Sequence, residues 1–286
     1  MTRPLRIGTR GSPLALAQAR MVADALDAAR GAETEIVPIT TTGDVIQDRA
    51  LAEVGGKALW TKELDRALAE GRTDLSVHSM KDVETFRPDA LVIAAMLARA
   101  DTRDRLIGAE SLDALPHGAR VGTSSPRRTA QLLARRPDLH CAIIRGNVQT
   151  RLARIEAGEF DATLLAAAGL DRLGLDIGTP LDLLPAPSQG AIGVEILAGR
   201  DDLRALLAAI DHRPTHAAVN AERAFLAALG GTCHSAVAAQ AQGALVKAEI
   251  LSADGREVHR GEGEPAELAR RLLEAASPAL RARFAP

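Results

Sequence analysis

The sequence predicts an α/β fold: two strand-and-helix units in series, with the chain returning to the first before a smaller α+β unit closes it. Three observations carry this prediction. Apolar strand-length runs alternate with helical periodicity from Leu5 to Ile196. Two stretches interrupt the rhythm, the polar ARADTRDR at Ala98–Arg105 and the Pro-rich LLPAPSQ at Leu183–Gln189. Beyond Thr215 the alternation gives way to a helix, a cysteine loop, a hairpin and a last helix. The two interruptions read as crossings between the same two units. They place residues 1–98 with 191–212 in a first α/β domain, 99–190 in a second, and 215–286 in a C-terminal α+β domain.

Each element has a local reason. Leu5–Thr9 reads as a strand. Ser12-Pro13 then supplies a cap and a first helical position for a helix that runs to Arg30 and ends at Gly31. A second strand is expected at Thr34–Thr41, a glycine-containing loop at Gly43–Gly56, a helix at Thr61–Glu70 and a strand at Asp74–Ser79. Leu91–Leu97 is a further buried strand. After the first crossing come strand Ala119–Gly122, helix Pro126–Arg135, strand Leu139–Ile144, helix Asn147–Ala157 and strand Asp161–Ala167. The return brings strand Ile192–Ile196 and helix Asp201–Ile210. In the last domain VKAEILSADGREVHRGE is a hairpin turning near Asp254-Gly255, and Ser277-Pro278 should break the helix that begins at Pro265. Trp60, the single tryptophan, is expected in the core.

Composition excludes several classes of function. The chain has 286 residues, 47% of them hydrophobic, enough for more than one buried core. A net charge of −2, 2% aromatic residues and no tyrosine give neither the basic field nor the stacking platforms of a nucleic-acid binder. No apolar run is long enough to span a bilayer and no signal-peptide pattern opens the chain, so a soluble cytoplasmic protein is expected, with no membrane partner. Only Lys57, Lys62, Lys81 and Lys247 are lysines among 35 basic residues. Cys141 and Cys233 are the only cysteines, and a reducing compartment disfavours pairing them. Cys233-His234 has no partner at metal-ligand spacing, and Pro214 sits between His212 and His216, so no metal site is expected. For Cys233, in LGGTCHSAVA, the roles left are nucleophile or point of attachment.

Three strand-to-helix turns carry the anion-binding chemistry. VGTSSPRR (Val121–Arg128) ends a strand, offers Thr123, Ser124 and Ser125, and opens a helix with Arg127 and Arg128 in its first turn. Cations there oppose the helix dipole, and a bound anion is a physical reason to tolerate them. IIRGNVQTRLAR repeats the arrangement with Arg145, an Asn147 cap and Arg151, and IGTRGSP repeats it with Arg10 and Ser12. So many cations suit a ligand with several carboxylates. In VHSMKDV, Lys81 and Asp82 emerge where strand Asp74–Ser79 ends, the edge at which open α/β sheets place their sites. Asp82 is a candidate general acid, general base or counter-ion to a developing cation.

Taken in order, TRGSPLALAQA, VGGKALWTKEL, VHSMKDV, VGTSSPRR, RGNVQTRL, AAAGLDRLGL and the late cysteine loop strongly resemble the porphobilinogen deaminase family, from Leu5 to Val237 without a break. The resemblance implies two domains like the halves of type II periplasmic binding proteins, linked by a double crossover, plus the small C-terminal domain. It implies a monomeric transferase that joins porphobilinogen units into a linear tetrapyrrole on a dipyrromethane cofactor held by a thioether to Cys233. It further implies Asp82 as the catalytic residue and Lys81, Ser125, Arg127, Arg128 and Arg145 as cofactor-binding. Arg10, Ser12, Arg151 and Arg172 would bind substrate. The chain departs from the family's usual pattern at Thr232 and Ala236 beside the cysteine, at Ser188 where glycine is common, at Pro126, and at Glu84 where proline is usual.

Overall fold

The computed structural model describes residues 3–42, 60–230 and 235–284. The expected loop Gly43–Gly56 and Cys233 with Thr232 lie outside the described residues. The chain divides into two compact units. One comprises 1–47, 56–100 and 190–217, the other 48–55, 101–189 and 218–286.

In the first unit, β1 (Leu5–Arg10) pairs in parallel with β2 (Thr34–Ile39) and β3 (Leu75–Ser79). The returning β10 (Ile192–Leu197) runs antiparallel between β3 and β4 (Leu91–Met96), giving the order β2-β1-β3-β10-β4. Helix α1 (Pro13–Arg30) has the apolar period its sequence suggests, with Ala19, Val22 and Leu26 buried against Ile7, Leu75, Val77 and Val194. Ser12 accepts the Ala15 N–H at 3.3 Å and Gly31 closes the helix at φ 59°, so the helix begins and ends where cap chemistry predicts. Helix α2 (Lys62–Ala69) packs Leu64, Ala67 and Leu68 inward, and α6 (Asp201–Leu207) buries Leu203 and Leu207.

Strand β3 runs into a 3-10 turn, Met80–Asp82, that holds Lys81 and Asp82 at its end. The turn can sit there because β10 contributes a glycine opposite it. A Cβ on Gly193 would lie 2.1 Å from Met80 Sδ.

The second unit contains two sheets. The first has the order β7-β6-β8-β5-β9, with β6 (Arg120–Gly122) parallel to β7 (His140–Ala142) and β8 (Ala162–Ala166), and β5 (Asp104–Ile107) antiparallel to β8 and β9 (Thr179–Leu181). Helices α3 (Pro126–Arg135), α4 (Val148–Glu156) and α5 (Ala167–Arg172) accompany it. Its core gathers Leu106, Val121, Leu132, Ala162 and Leu164. The expectation that Ala98–Arg105 is a crossing holds only up to residue 103. Asp104 and Arg105 begin a strand, because the Asp104 carboxylate finds cationic partners inside the unit.

The last sheet, β11 (Val237–Gln242), β12 (Leu245–Leu251) and β13 (Val258–Gly263), is antiparallel throughout. Helices α7 (Arg213–Ala228) and α8 (Pro265–Ala275) share with it a core around Phe225, Val246, Ile250 and Leu268. Helix α8 ends at Ala275 with Ala276 at its C-cap, and Ser277 caps the short α9 (Pro278–Arg281), the break that Ser-Pro predicts.

Candidate active site

In the first unit, Arg10 from the end of β1, Ser12 from the cap of α1 and Asp82 from the 3-10 turn line one pocket, together with Gln18, Trp60, Thr61, His78 and Ser79. Ser12 accepts the helix's N–H through its oxygen lone pair, which leaves its hydroxyl proton to donate to a ligand carboxylate. Gln18 Nε2 donates to Ser79 Oγ at 2.8 Å across the pocket floor. Trp60 is not the core residue expected. It is half-buried, and the Arg10 guanidinium carbon lies 3.9 Å from the centre of its ring, a cation–π stack worth about 0.5–1 kcal/mol at an exposed site. Lys81 shares the turn with Asp82 but is not part of this lining.

Below the pocket lies a buried ionic cluster. Arg87 grips Glu195 on β10 through Nε at 2.8 Å and Nη2 at 2.9 Å, and binds Asp65 at 2.5 Å and Glu84 at 2.7 Å. His78 Nε2 lies 3.0 Å from the second Glu195 oxygen. Burial alone would raise the Glu195 carboxyl, but hydrogen bonds and charge from His78 and Arg87 outweigh it and hold the group down at about 2. Asp65 is pushed the other way, raised by burial against the pull of Arg87.

In the second unit Ser125 caps α3, accepting the Arg128 N–H at 3.4 Å. The two arginines that follow point inward. Asp104 accepts from Arg127 Nη2 at 2.8 Å, Arg128 Nη2 at 2.7 Å, Arg128 Nε at 3.3 Å and Gln189 Nε2 at 3.0 Å. Arg127 Nη1 also donates to Leu184 O at 3.0 Å and Arg128 Nη1 to Leu164 O at 2.7 Å. An anion does meet the first turn of this helix, as the dipole argument requires, and it is a carboxylate of the same chain. Two guanidinium groups facing one carboxylate leave a surplus positive charge. Loss of hydration on burial lowers the Arg127 pKa, with Asp104 pulling against it and the neighbouring Arg128 charge adding to the fall.

The remaining predicted cations sit at separate turns of this unit. Arg145 follows β7 and precedes Gly146, whose φ of 100° and close approach to Thr150 leave no room for a Cβ. Asn147 caps α4 by accepting the Thr150 N–H at 2.9 Å, and Arg151 Nε donates to Gly146 O at 3.0 Å. Arg172 ends α5, where burial brings its pKa down to about 10 despite Asp171 beside it. Among the described residues, Nε of Arg127 and Nη1 of Arg145 are buried without a hydrogen-bond partner, so both have donor capacity to spare. Cys141 is a free thiol pushed up to about 11 by burial, a poor nucleophile at neutral pH.

Among the described residues no group of three or more His, Cys, Asp or Glu side chains could hold a metal ion, and no helix is long and apolar enough to cross a membrane. His212 and His216 are occupied locally, by Thr215 Oγ1 and Asp211 Oδ1, each at 2.8 Å. Sequence reasoning missed Asp104, Gln18 and His78. Asp104 gave a signal only in retrospect, as an acidic residue shortly before strand-forming Leu106 and Ile107.

Two family models match the chain. "Porphobilinogen deaminase, dipyromethane cofactor binding domain" covers residues 5–205, and "Porphobilinogen deaminase, C-terminal domain" covers 216–276. The chain belongs to the porphobilinogen deaminase family. A porphobilinogen deaminase of Sphingopyxis alaskensis is 60% identical over 99% of this chain and 97% of its own length. Membership makes the chain a transferase of tetrapyrrole biosynthesis whose larger matched region is a dipyrromethane-binding one. Solved structures of similar shape include a periplasmic substrate-binding protein of an ABC transporter from Coxiella burnetii. It is 16% identical with a TM-score of 0.46, over 76% of this chain and 94% of that one. Another is a nutrient-binding protein from Burkholderia cenocepacia bound to methionine, 14% identical with a TM-score of 0.45, over 71% and 90%.

Proposed function

We propose that this member of the porphobilinogen deaminase family joins four porphobilinogen molecules head to tail into hydroxymethylbilane, with Asp82 as the catalytic residue and Cys233 as the thioether anchor of the dipyrromethane cofactor. The observation that carries this reading is the pocket in which a guanidinium (Arg10), a hydroxyl (Ser12) and a carboxylate (Asp82) face one space. The first two suit an acidic side chain of the substrate, and the third suits its reacting, cationic end.

The donors present fit a cofactor with several carboxylates. Ser125, Arg127, Arg128 and Arg145 belong to turns with surplus positive charge and spare donors, and Lys81 stands beside Asp82 in sequence. They are assigned to the cofactor; Arg10, Ser12, Arg151 and Arg172 are assigned to substrate. A carboxylate beside Arg172 would restore what burial takes from that cation. When bound, the cofactor supplies a free pyrrole α-carbon as the nucleophile. Asp82 stabilises the methylene-pyrrole cation that porphobilinogen becomes as its aminomethyl group departs as ammonia. It then accepts the proton released at the new carbon–carbon junction. A cation cannot be stabilised by Lys81, so the division of labour between these neighbours follows from charge alone.

The domain boundaries 1–98 with 191–212, 99–190 and 215–286 belong to this proposal, as do a monomeric state and a cytoplasmic location without nucleic-acid or membrane partners. The compact units support the first boundary, breaking after Ala100 and again before Gly190. Intact-protein mass spectrometry tests the anchor. The purified protein should carry the mass of a two-pyrrole adduct, absent from Cys233→Ser, and an active protein without added mass would overturn it. Asp82→Asn should keep the adduct and lose nearly all turnover.

A further inference from the structure

Glu84 lies two residues beyond Asp82 and outside the pocket lining, yet its carboxylate is tied to Thr61, a residue of that lining. Thr61, only 1% exposed, donates its hydroxyl proton to Glu84, lying 2.9 Å from one carboxylate oxygen and 3.0 Å from the other. The same Thr61 oxygen accepts from Arg87 Nη1 at 3.2 Å, and that nitrogen also donates to Glu84 Oε2 at 2.7 Å. Three side chains thus close a ring in which every contact has both partners.

Each member of the ring belongs to a different part of the site. Glu84 follows the turn that carries Asp82, where Val83 is buried and extended. Thr61 stands just before α2, its hydroxyl not used to cap the helix, and is the direct neighbour of Trp60, the ring on which Arg10 stacks. Arg87 is itself fixed by the buried Glu195 on β10, between β3 and β4. A displacement of Thr61 relative to the Asp82 turn would carry Trp60 with it, and the Arg10 guanidinium with Trp60.

We infer that Glu84 is a positioning residue, whose carboxylate ties the Asp82 turn to Thr61 and so sets the spacing between Asp82 and the Trp60–Arg10 stack. The inference rests on the proposed roles of Asp82 and Arg10. It adds that the distance between reacting carboxylate and carboxylate-binding cation is governed from a residue that touches neither substrate nor cofactor. Misplacement by about 1 Å can cost on the order of 100-fold in rate, so a looser tie is expected to be expensive for kcat.

Trp60 is the only tryptophan in the chain, which makes its fluorescence a direct reporter of the tie. In the holoenzyme, Glu84→Ala should shift Trp60 emission and raise its quenching by acrylamide, with kcat falling about 10-fold. Glu84→Gln keeps a carbonyl to accept from Thr61. It should preserve the emission and hold kcat within about 3-fold, a loss of about 0.6 kcal/mol at 1.4 kcal/mol per decade. Thr61→Val should reproduce Glu84→Ala, and the double variant should be no worse than either single one. Unchanged Trp60 emission in Glu84→Ala, or losses in kcat that multiply in the double variant, would overturn the inference. Asp82→Asn separates the two readings. If it retains turnover, the assignment of Asp82 fails while the emission change in Glu84→Ala still stands.

Discussion

Replacing Asp104 with alanine tests whether the charges of the second unit are arranged as described. The carboxylate is 1% exposed and accepts hydrogen bonds from Gln189 and from Arg127 and Arg128, themselves 3% and 7% exposed. Its removal leaves two guanidinium groups facing each other without the carboxylate that binds both, beyond the reach of bulk water. Breaking a buried pair in this way costs about 3–5 kcal/mol. For a unit of this size each kcal/mol lowers the melting temperature by about 2–4 °C, so Asp104→Ala should lower it by about 6–20 °C. Calorimetry reads this directly, provided the melting of the two units is resolved. A companion variant with Asp104→Leu, Arg127→Met and Arg128→Met removes all three charges and should regain more than half of the loss, since apolar replacements remove the desolvation penalty together with the pairing. If Asp104→Ala melts within about 2 °C of the parent, less than 1 kcal/mol by the same conversion, Asp104 is not the anion that holds the two buried guanidinium groups.

Two further expectations concern acid and backbone strain. Glu195 ordinarily titrates near 4.5 and is held at about 2 in the folded protein, so its contribution is fully present above pH 4.5 and is lost as pH falls toward 2. The shift corresponds to about 3 kcal/mol at 1.36 kcal/mol per unit. Melting temperature should fall steeply between pH 4.5 and 3, less steeply in Glu195→Gln, and equal slopes would refute the assignment. Ser188 is buried at φ 67°, a left-handed conformation that costs a non-glycine residue about 1–2 kcal/mol, while its N–H donates to Glu222 at 2.6 Å. Ser188→Gly keeps that bond and should raise the melting temperature by about 2–4 °C, a gain of about 1 kcal/mol; a decrease would show that the serine is not strained.

Elements with chemical punctuation were legible in the sequence. Pro126–Arg135 occupies the same residues in expectation and structure, because Ser125, Pro126 and the apolar period all speak for it. Helix α1 is bounded by Ser12 and Gly31 for similar reasons. The strand Asp104–Ile107 was not legible, since an aspartate reads as solvent-facing until the partners contributed by α3 are known. Strand β9 is three residues with a proline in the middle, and β11, VAAQAQ, has little of the β-branched pattern that marks a strand. At the site, residue types were legible and directions were not. The sequence turn around Arg127 and Arg128 calls for an anion without saying whose, and a lone tryptophan looks apolar until an arginine is found on its face.

Strand β10 also sets an order of assembly. It fills the gap between β3 and β4, yet Asp101–Gln189 must be made before it leaves the ribosome. At about 5–20 residues per second that wait is roughly 5–20 s, during which β3 and β4 each lack the neighbour that satisfies one of their edges. The turn that presents Asp82 waits as well, because Met80 finds its seat only against Gly193. All five strands of the second unit's α/β sheet are therefore synthesised before the first unit can bring its carboxylate into place.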